Sequence, residues 1–302
     1  MIRFLFSGVV ALGATTALAE VPRVVTDIAP VQSLVARVMA GIGEADVLLP
    51  PGASPHDHSL RPSEARSLSD ADLVIWVGPA LTGWLEDPIQ TLAPEAASLI
   101  LSEADGLSTM ALREGGAFGG HDNDDHGDHD DDEEGFDPHM WLDPKNALVW
   151  LDAIAITLAS IDPENAAAYA ASAALGTEEI TAEASRIAAL MGGMPRSYLA
   201  YHDAFQYAEN WLNLTDVGAI QSGHASEPGP ARLAGLRDEV AEQGVACVLA
   251  EPQYNEGLLK AVMGDDQDHV VVIDPLGGAF EAGPSSYLAI LGQFSRIPEI
   301  CD

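Results

Sequence analysis

Short apolar runs, three to six residues long, alternate with amphipathic stretches along most of the 302-residue chain, and that rhythm admits few architectures. A run too short for a helix, followed by a segment of helical period, marks a strand-helix unit, and such units assemble into mainly parallel sheets. Runs at Val24–Thr26, Ala45–Leu49, Leu73–Val77 and Ser98–Leu101, with helical gaps at Val31–Ala40, Ser63–Ser69 and Thr82–Leu92, predict a first α/β lobe. A second series has strands at Ser197–Tyr201, Asp216–Ile220, Val245–Ala250 and Val270–Ile273 and helices at Ala204–Trp211, Pro230–Gln243 and Glu256–Met263. The fold class expected is therefore α/β, two lobes each with a mainly parallel sheet flanked by helices. The length agrees, since single cores stop growing at about 250–300 residues.

Between the two series, Asp143–Ser160 and Pro163–Met191 carry no strand pattern and are rich in alanine, leucine and isoleucine. Asp162, Pro163 and Glu164 supply a cap, a proline at the first helical position and an acid in the first turn. The second helix, about 28 residues and roughly 42 Å long, is a stiff strut between lobes. Gly176 is a place where it could break or kink, because glycine costs a helix about 1 kcal/mol relative to alanine. The expected organisation is residues 20–160 as the first lobe, 161–192 as the linking helix and 193–302 as the second lobe. Open parallel sheets take ligands at the carboxyl ends of their strands, so two facing lobes make a cleft lined by those loops.

The first nineteen residues have the form of an export signal. Arg3 makes a positive start, Phe4 to Ala14 is mostly apolar, and Ala17-Leu18-Ala19 presents small residues for cleavage before Glu20. The apolar run is too short, and too broken by Gly8, Gly13, Thr15 and Thr16, to span a bilayer. A formal net charge of -34 excludes nucleic-acid binding through a basic surface and disfavours an anionic membrane. Cys247 and Cys301 are the two cysteines, and in an exported chain they are expected to pair. The alternative, a reactive or metal-binding thiol pair, lacks ligand spacing and a neighbouring histidine.

Histidines stand out in the loops. His56 and His58 follow a strand in Pro50-Pro51-Gly52-Ala53-Ser54-Pro55-His56-Asp57-His58, His139 lies in Asp137-Pro138-His139-Met140-Trp141-Leu142-Asp143-Pro144, and His202 ends the strand Ser197–Tyr201. One such histidine is usually an ordinary loop residue. Three at comparable positions in a two-lobed fold point to a metal, because neutral imidazole is the commonest ligand for borderline cations such as Zn²⁺. His58, two residues from His56, points the other way in an extended loop and reads as a neighbour.

Taken in order, Gly52-Ala53-Ser54-Pro55-His56-Asp57, Pro138 to Pro144, His202-Asp203-Ala204-Phe205, Ala250-Glu251-Pro252-Gln253 and Asp274-Pro275-Leu276-Gly277 resemble the blocks of the metal-binding solute-binding proteins of ABC transporters, in their high-affinity zinc-uptake branch. The resemblance covers essentially the whole mature chain, paired cysteines included. It implies a periplasmic, monomeric protein with one metal ion in the inter-lobe cleft, held by His56, His139 and His202 between lobes joined by a long rigid helix. It implies no enzymatic activity. Asp274 matches the place where manganese-binding relatives use a carboxylate; the alternative that the zinc-type resemblance implies is water there. Some zinc-type members have a glutamate where this chain has Pro55, so Asp274 or water must complete the shell. The implied partners are an inner-membrane ABC permease and a periplasmic zinc chaperone. Three imidazoles favour Zn²⁺ over the oxygen-loving Mn²⁺, although softness alone leaves Cu²⁺ and Ni²⁺ open.

From His121 to Glu134 nine carboxylates and three histidines fall among fourteen residues without periodicity. Such a tract, within a loop of about residues 115–136, reads as solvated, with His121, His126 and His129 forming a weak auxiliary metal-collecting site. Relatives of the zinc-uptake branch often carry a similar loop there. Asp122, Asp124, His126, Gly127 and Glu133 match EF-hand spacing, but the glycine-rich flanks are not helical and the match is attributed to chance. Two other classes remain. A zinc hydrolase could also use three histidines and a water, with Glu251 as base, but the chain has no H-E-x-x-H motif. An adhesive protein would need an exposed surface outside the cleft.

Overall fold

The computed structural model describes residues 21–113, 135–193, 195–221, 228–252, 254–264 and 269–301. In the first lobe, β1 (Val24–Thr26), β2 (Ala45–Val47), β3 (Leu73–Trp76) and β4 (Ala97–Ile100) form a sheet of order β2-β1-β3-β4, parallel throughout. The helices are α1 (Ala29–Val38), α2 (Pro62–Ser69), α3 (Pro79–Thr82) and α4 (Glu86–Leu92). The single helix expected over Thr82–Leu92 is divided. A 3₁₀ turn at Gly83–Leu85 intervenes, and the helix restarts at Glu86 with Pro88 in its first turn, where a missing N–H goes unneeded.

The second lobe repeats the plan. Its strands are β5 (Arg196–His202), β6 (Leu214–Gln221), β7 (Cys247–Ala250) and β8 (Val270–Val272), again parallel and ordered β6-β5-β7-β8. All eight strands expected from the apolar runs are present. Each sheet has neighbours on both sides of its first strand, so the crevice that receives ligands opens beyond the ends of β1 and β5.

Two helices connect the lobes, α5 (Pro144–Ile161) and α6 (Ala166–Leu190). Asp143 caps α5 by accepting from the Lys145 N–H at 2.9 Å. Asp162 does not cap in that way. Pro163–Asn165 form a 3₁₀ turn, and the Asp162 carboxylate accepts instead from Asn165 Nδ2 at 2.7 Å and from the Tyr169 hydroxyl at 2.8 Å. Tyr169 is fully buried, so its hydroxyl requires that partner. The 25 residues of α6 run unbroken through Gly176, about 38 Å in all. Glycine there permits close approach: a Cβ would lie 3.0 Å from Leu151 Cδ1 on α5 and 3.1 Å from Arg37 Cγ on α1. Arg37 itself pairs with Glu179 of α6 at 2.7 and 3.0 Å.

The remaining helices are α7 (Gln206–Leu212), α8 (Pro230–Gln243), α9 (Glu256–Met263), α10 (Ser286–Gly292) and α11 (Ile297–Ile300). The last two follow the final strand and were not legible as periodic segments. α10 returns the chain to the first lobe, whereas α11 packs back against β8 of the second. Ser33 of α1 donates to Gly283 O at 2.7 Å and accepts from Tyr287 N, and the Tyr287 hydroxyl donates to Trp141 O at 2.6 Å. One buried cluster runs through both lobes, from Leu34 and Trp150 to Tyr198, Phe205 and Tyr287. Cys247 and Cys301, both buried, form a disulfide across 54 residues of sequence. Among the described residues, no helix is long and apolar enough to cross a membrane.

Candidate metal centre

The ladder of β2 continues past its last strand residue, with Leu48 N donating to Thr26 O and Leu49 N to Asp27 O, both at 2.9 Å. The chain then turns at Pro50-Pro51-Gly52-Ala53, closed by Ala53 N to Pro50 O at 3.1 Å, with Gly52 at φ 78°. A positive φ at the third position is what a type II turn demands, and glycine meets it without strain. This turn sends His56 over the end of the sheet. Trp84 Nε1 holds the loop by donating to Pro55 O at 2.8 Å. His58 faces elsewhere, as its spacing predicted: its Nε2 lies 2.9 Å from Glu64 Oε2 and its ring packs edge-on to Trp84. Beneath the loop, the buried Asp27 carboxylate accepts from Ile28 N, Val77 N and Thr82 Oγ1, linking β1 to β3. Burial pushes Asp27 up to about 6 despite those three donors.

His139 opens a 3₁₀ turn, Met140–Leu142, and is 3% exposed. One oxygen of Asp137 holds it twice, accepting from the backbone N–H at 2.9 Å and from Nδ1 at 2.8 Å. His202 is the last residue of β5, and its Nδ1 lies 3.1 Å from Oε1 of Glu251, just beyond the end of neighbouring β7. A carboxylate only accepts, so each of these rings carries its proton on Nδ1 and keeps the Nε2 lone pair for another partner. Burial lowers the His202 imidazole, but the hydrogen bond and charge of Glu251 outweigh it, and the net shift is upward. Burial likewise raises Glu251, and the His202 contacts outweigh it, leaving that carboxyl below its usual range.

The three rings meet from three segments. Centroids are 5.3 Å apart for His56 and His139, 5.7 Å for His56 and His202, and 5.2 Å for His139 and His202. One ligand atom from each lies within 4.8 Å of the other two. That spacing suits one ion, not two, since tetrahedral zinc with bonds of about 2.0–2.1 Å spaces its ligands about 3.4 Å apart.

Asp274 is not among that group of ligand atoms. It follows β8 and shapes its own turn, Oδ1 accepting from Leu276 N at 3.0 Å and Gly277 N at 2.9 Å while Gln293 bonds its backbone on both sides. His121, His126 and His129, with the rest of the acidic tract, lie outside the described residues, as does the export signal at 1–19. Asp137 escaped the sequence reading. Its signal was its place two residues before His139, where an aspartate commonly bonds the chain ahead of it.

Residues 24–296 match the family described as zinc-uptake complex component A, periplasmic. The high-affinity zinc uptake system protein ZnuA of Paracoccus denitrificans (strain Pd 1222) is 38% identical, the match covering 92% of this chain and 91% of that protein. The protein of the same name from Brucella abortus (strain 2308) is 33% identical over the same shares. A crystal structure of ZnuA superposes with a TM-score of 0.76 at 21% identity, covering 94% of this chain and all of that one, a likeness of fold. By these measures the chain belongs to the ZnuA family, the periplasmic component A of zinc-uptake complexes.

Proposed function

We propose that the protein captures one Zn²⁺ between its lobes through His56, His139 and His202 and delivers it to the permease of an ABC transporter in the inner membrane. The observation that carries this reading is the convergence of three imidazoles, two of them locked by Asp137 and Glu251 with Nε2 left to the cleft. Carboxylate-backed histidines of this kind are the usual second layer of a zinc site, fixing the tautomer and raising ligand basicity. Water is the fourth ligand in this reading, because no Asp274 oxygen belongs to the group of ligand atoms that the three histidines form. Export to the periplasm through the signal at residues 1–19 belongs to the same reading. A transport role also fits Glu251, which as the partner of His202 is not free to serve as a general base.

The test is a zinc titration of the metal-stripped mature protein, followed by dialysis against a weak chelator and elemental analysis. One zinc retained per chain, lost in His139→Ala and in His202→Ala, is the expected result. Full retention in either variant, or retained manganese in place of zinc, overturns the proposal.

A further inference from the structure

Beneath the histidines, three carboxylates of the second lobe converge on a guanidinium from another part of the chain. Arg113 extends from a two-stranded neck in which Ala111 bridges Phe136, Leu112 N donates to Gly135 O at 3.1 Å and Asp137 N donates to Met110 O at 2.8 Å. The neck is docked on α7, the Tyr207 hydroxyl accepting from Met110 N and donating to Asp137 O. From there Arg113 grips Asp203 as a fork, Nε donating to Oδ2 at 3.3 Å and Nη2 to Oδ1. Its Nη1 donates to Glu209 Oε1 at 2.6 Å, and its Nη2 lies 3.3 Å from Asp216 Oδ2. The four side chains are between 0% and 19% exposed, so water screens these charges little.

Asp203 is the residue directly after His202. The short Ala204 N to His202 O contact, 2.8 Å, folds the two residues into a tight turn. A carboxylate placed there is an oxygen donor beside a nitrogen site. We propose that Arg113 is a selectivity-determining positioning residue: its fork holds Asp203 out of the cation's shell, so that the shell remains three imidazoles and water. The inference rests on the three histidines being the ligands. Its chemistry is simple. Imidazole donors suit zinc, whereas an added carboxylate raises affinity for oxygen-preferring Mn²⁺ and favours more than four ligands. Arginine is required because a planar fork can hold both oxygens of a carboxylate, and the single ammonium of lysine cannot do so in fixed register.

The experiment compares dissociation constants for Zn²⁺ and Mn²⁺, and the visible spectrum of the Co²⁺-loaded protein, in wild type, Arg113→Ala, Arg113→Lys and the double variant Arg113→Ala with Asp203→Asn. Circular dichroism establishes that each is folded. In Arg113→Ala the zinc-to-manganese preference is expected to fall by about 10- to 100-fold, the range found for second-layer metal contacts. The cobalt bands should weaken as coordination expands beyond four. Arg113→Lys should give an intermediate preference, and Asp203→Asn should restore both readouts in the double variant. A folded Arg113→Ala with wild-type preference and spectrum overturns the proposal, and so does a double variant as impaired as the single one. If Arg113→Ala does not fold, Arg113→Lys decides: a wild-type preference there refutes the fork. Wild-type protein that binds no zinc would instead refute the ligand reading, a separate failure.

Discussion

Replacing Asp137 by alanine removes the one oxygen that holds His139 through both its backbone N–H, at 2.9 Å, and its Nδ1, at 2.8 Å. The ring then loses its orientation and its tautomer together, since either nitrogen of a neutral imidazole can carry the proton. Loss of such a partner typically lowers metal affinity about 10- to 100-fold, which is about 1.4 to 2.7 kcal/mol. Because His139 is only 3% exposed, water is a poor substitute for the missing acceptor and the upper half of that range is expected. Asp137→Asn separates position from charge. Its amide oxygen can still accept from both donors, while the charge-assisted share of the bonds, about half their strength, is gone. The order of zinc affinity should therefore be wild type, then Asn, then Ala, measured by competition with a chromophoric chelator at pH 7.5. An alanine variant that binds zinc as wild type does, or an asparagine variant weaker than alanine, would show that Asp137 does not orient a ligand.

Two further outcomes concern stability. Asp27 is fully buried with its carboxyl raised from 3.8 to about 6, so the folded state holds a proton that the unfolded chain releases. Its contribution is present below about pH 4 and is lost as pH rises through about 6, by about 3 kcal/mol in all; between pH 4 and 7 urea midpoints should therefore rise in Asp27→Asn relative to wild type. An unchanged difference across that range would mean that Asp27 is ionised throughout. Breaking the Cys247–Cys301 bond by paired substitution to alanine should cost about 4 kcal/mol in the chain-entropy account of a 54-residue separation. Zinc stoichiometry should survive, because Cys247 begins β7 whereas Glu251 lies past its other end; loss of the tight site on that substitution would contradict the placement of the bond.

Much of the architecture was legible because strands and helices differ in period. The eight apolar runs became the eight strands, and the alanine-rich stretches became α5 and α6. Misreadings occurred where a residue's local preference served a distant neighbour. Gly176 looks like a helix breaker in isolation, yet it is the point where α6 approaches Leu151 and Arg37. Asp162 looks like a cap, yet the buried hydroxyl of Tyr169 claims its carboxylate. Segments α10 and α11 were missed because they are short and their burial depends on distant partners, α1 for α10, 250 residues away in the chain for Ser33 and Gly283, and β8 for α11.

The loop histidines followed the same division. Residue type and position in a loop, after a strand for His56 and His202 and ahead of the first connecting helix for His139, marked the three, and spacing turned His58 aside. Sequence by itself thus determined the α/β class, the cysteine pair and the nitrogen-rich character of the site, all properties of local pattern or of side-chain chemistry. Tertiary structure alone decided that three imidazoles meet with ligand atoms within 4.8 Å, that Asp274 stands apart from them, and that Arg113 grips Asp203. The reason is physical: a ligand set is a matter of distances between segments about 60 to 80 residues apart, and those distances exist only after both sheets and the helices between them have packed into one core.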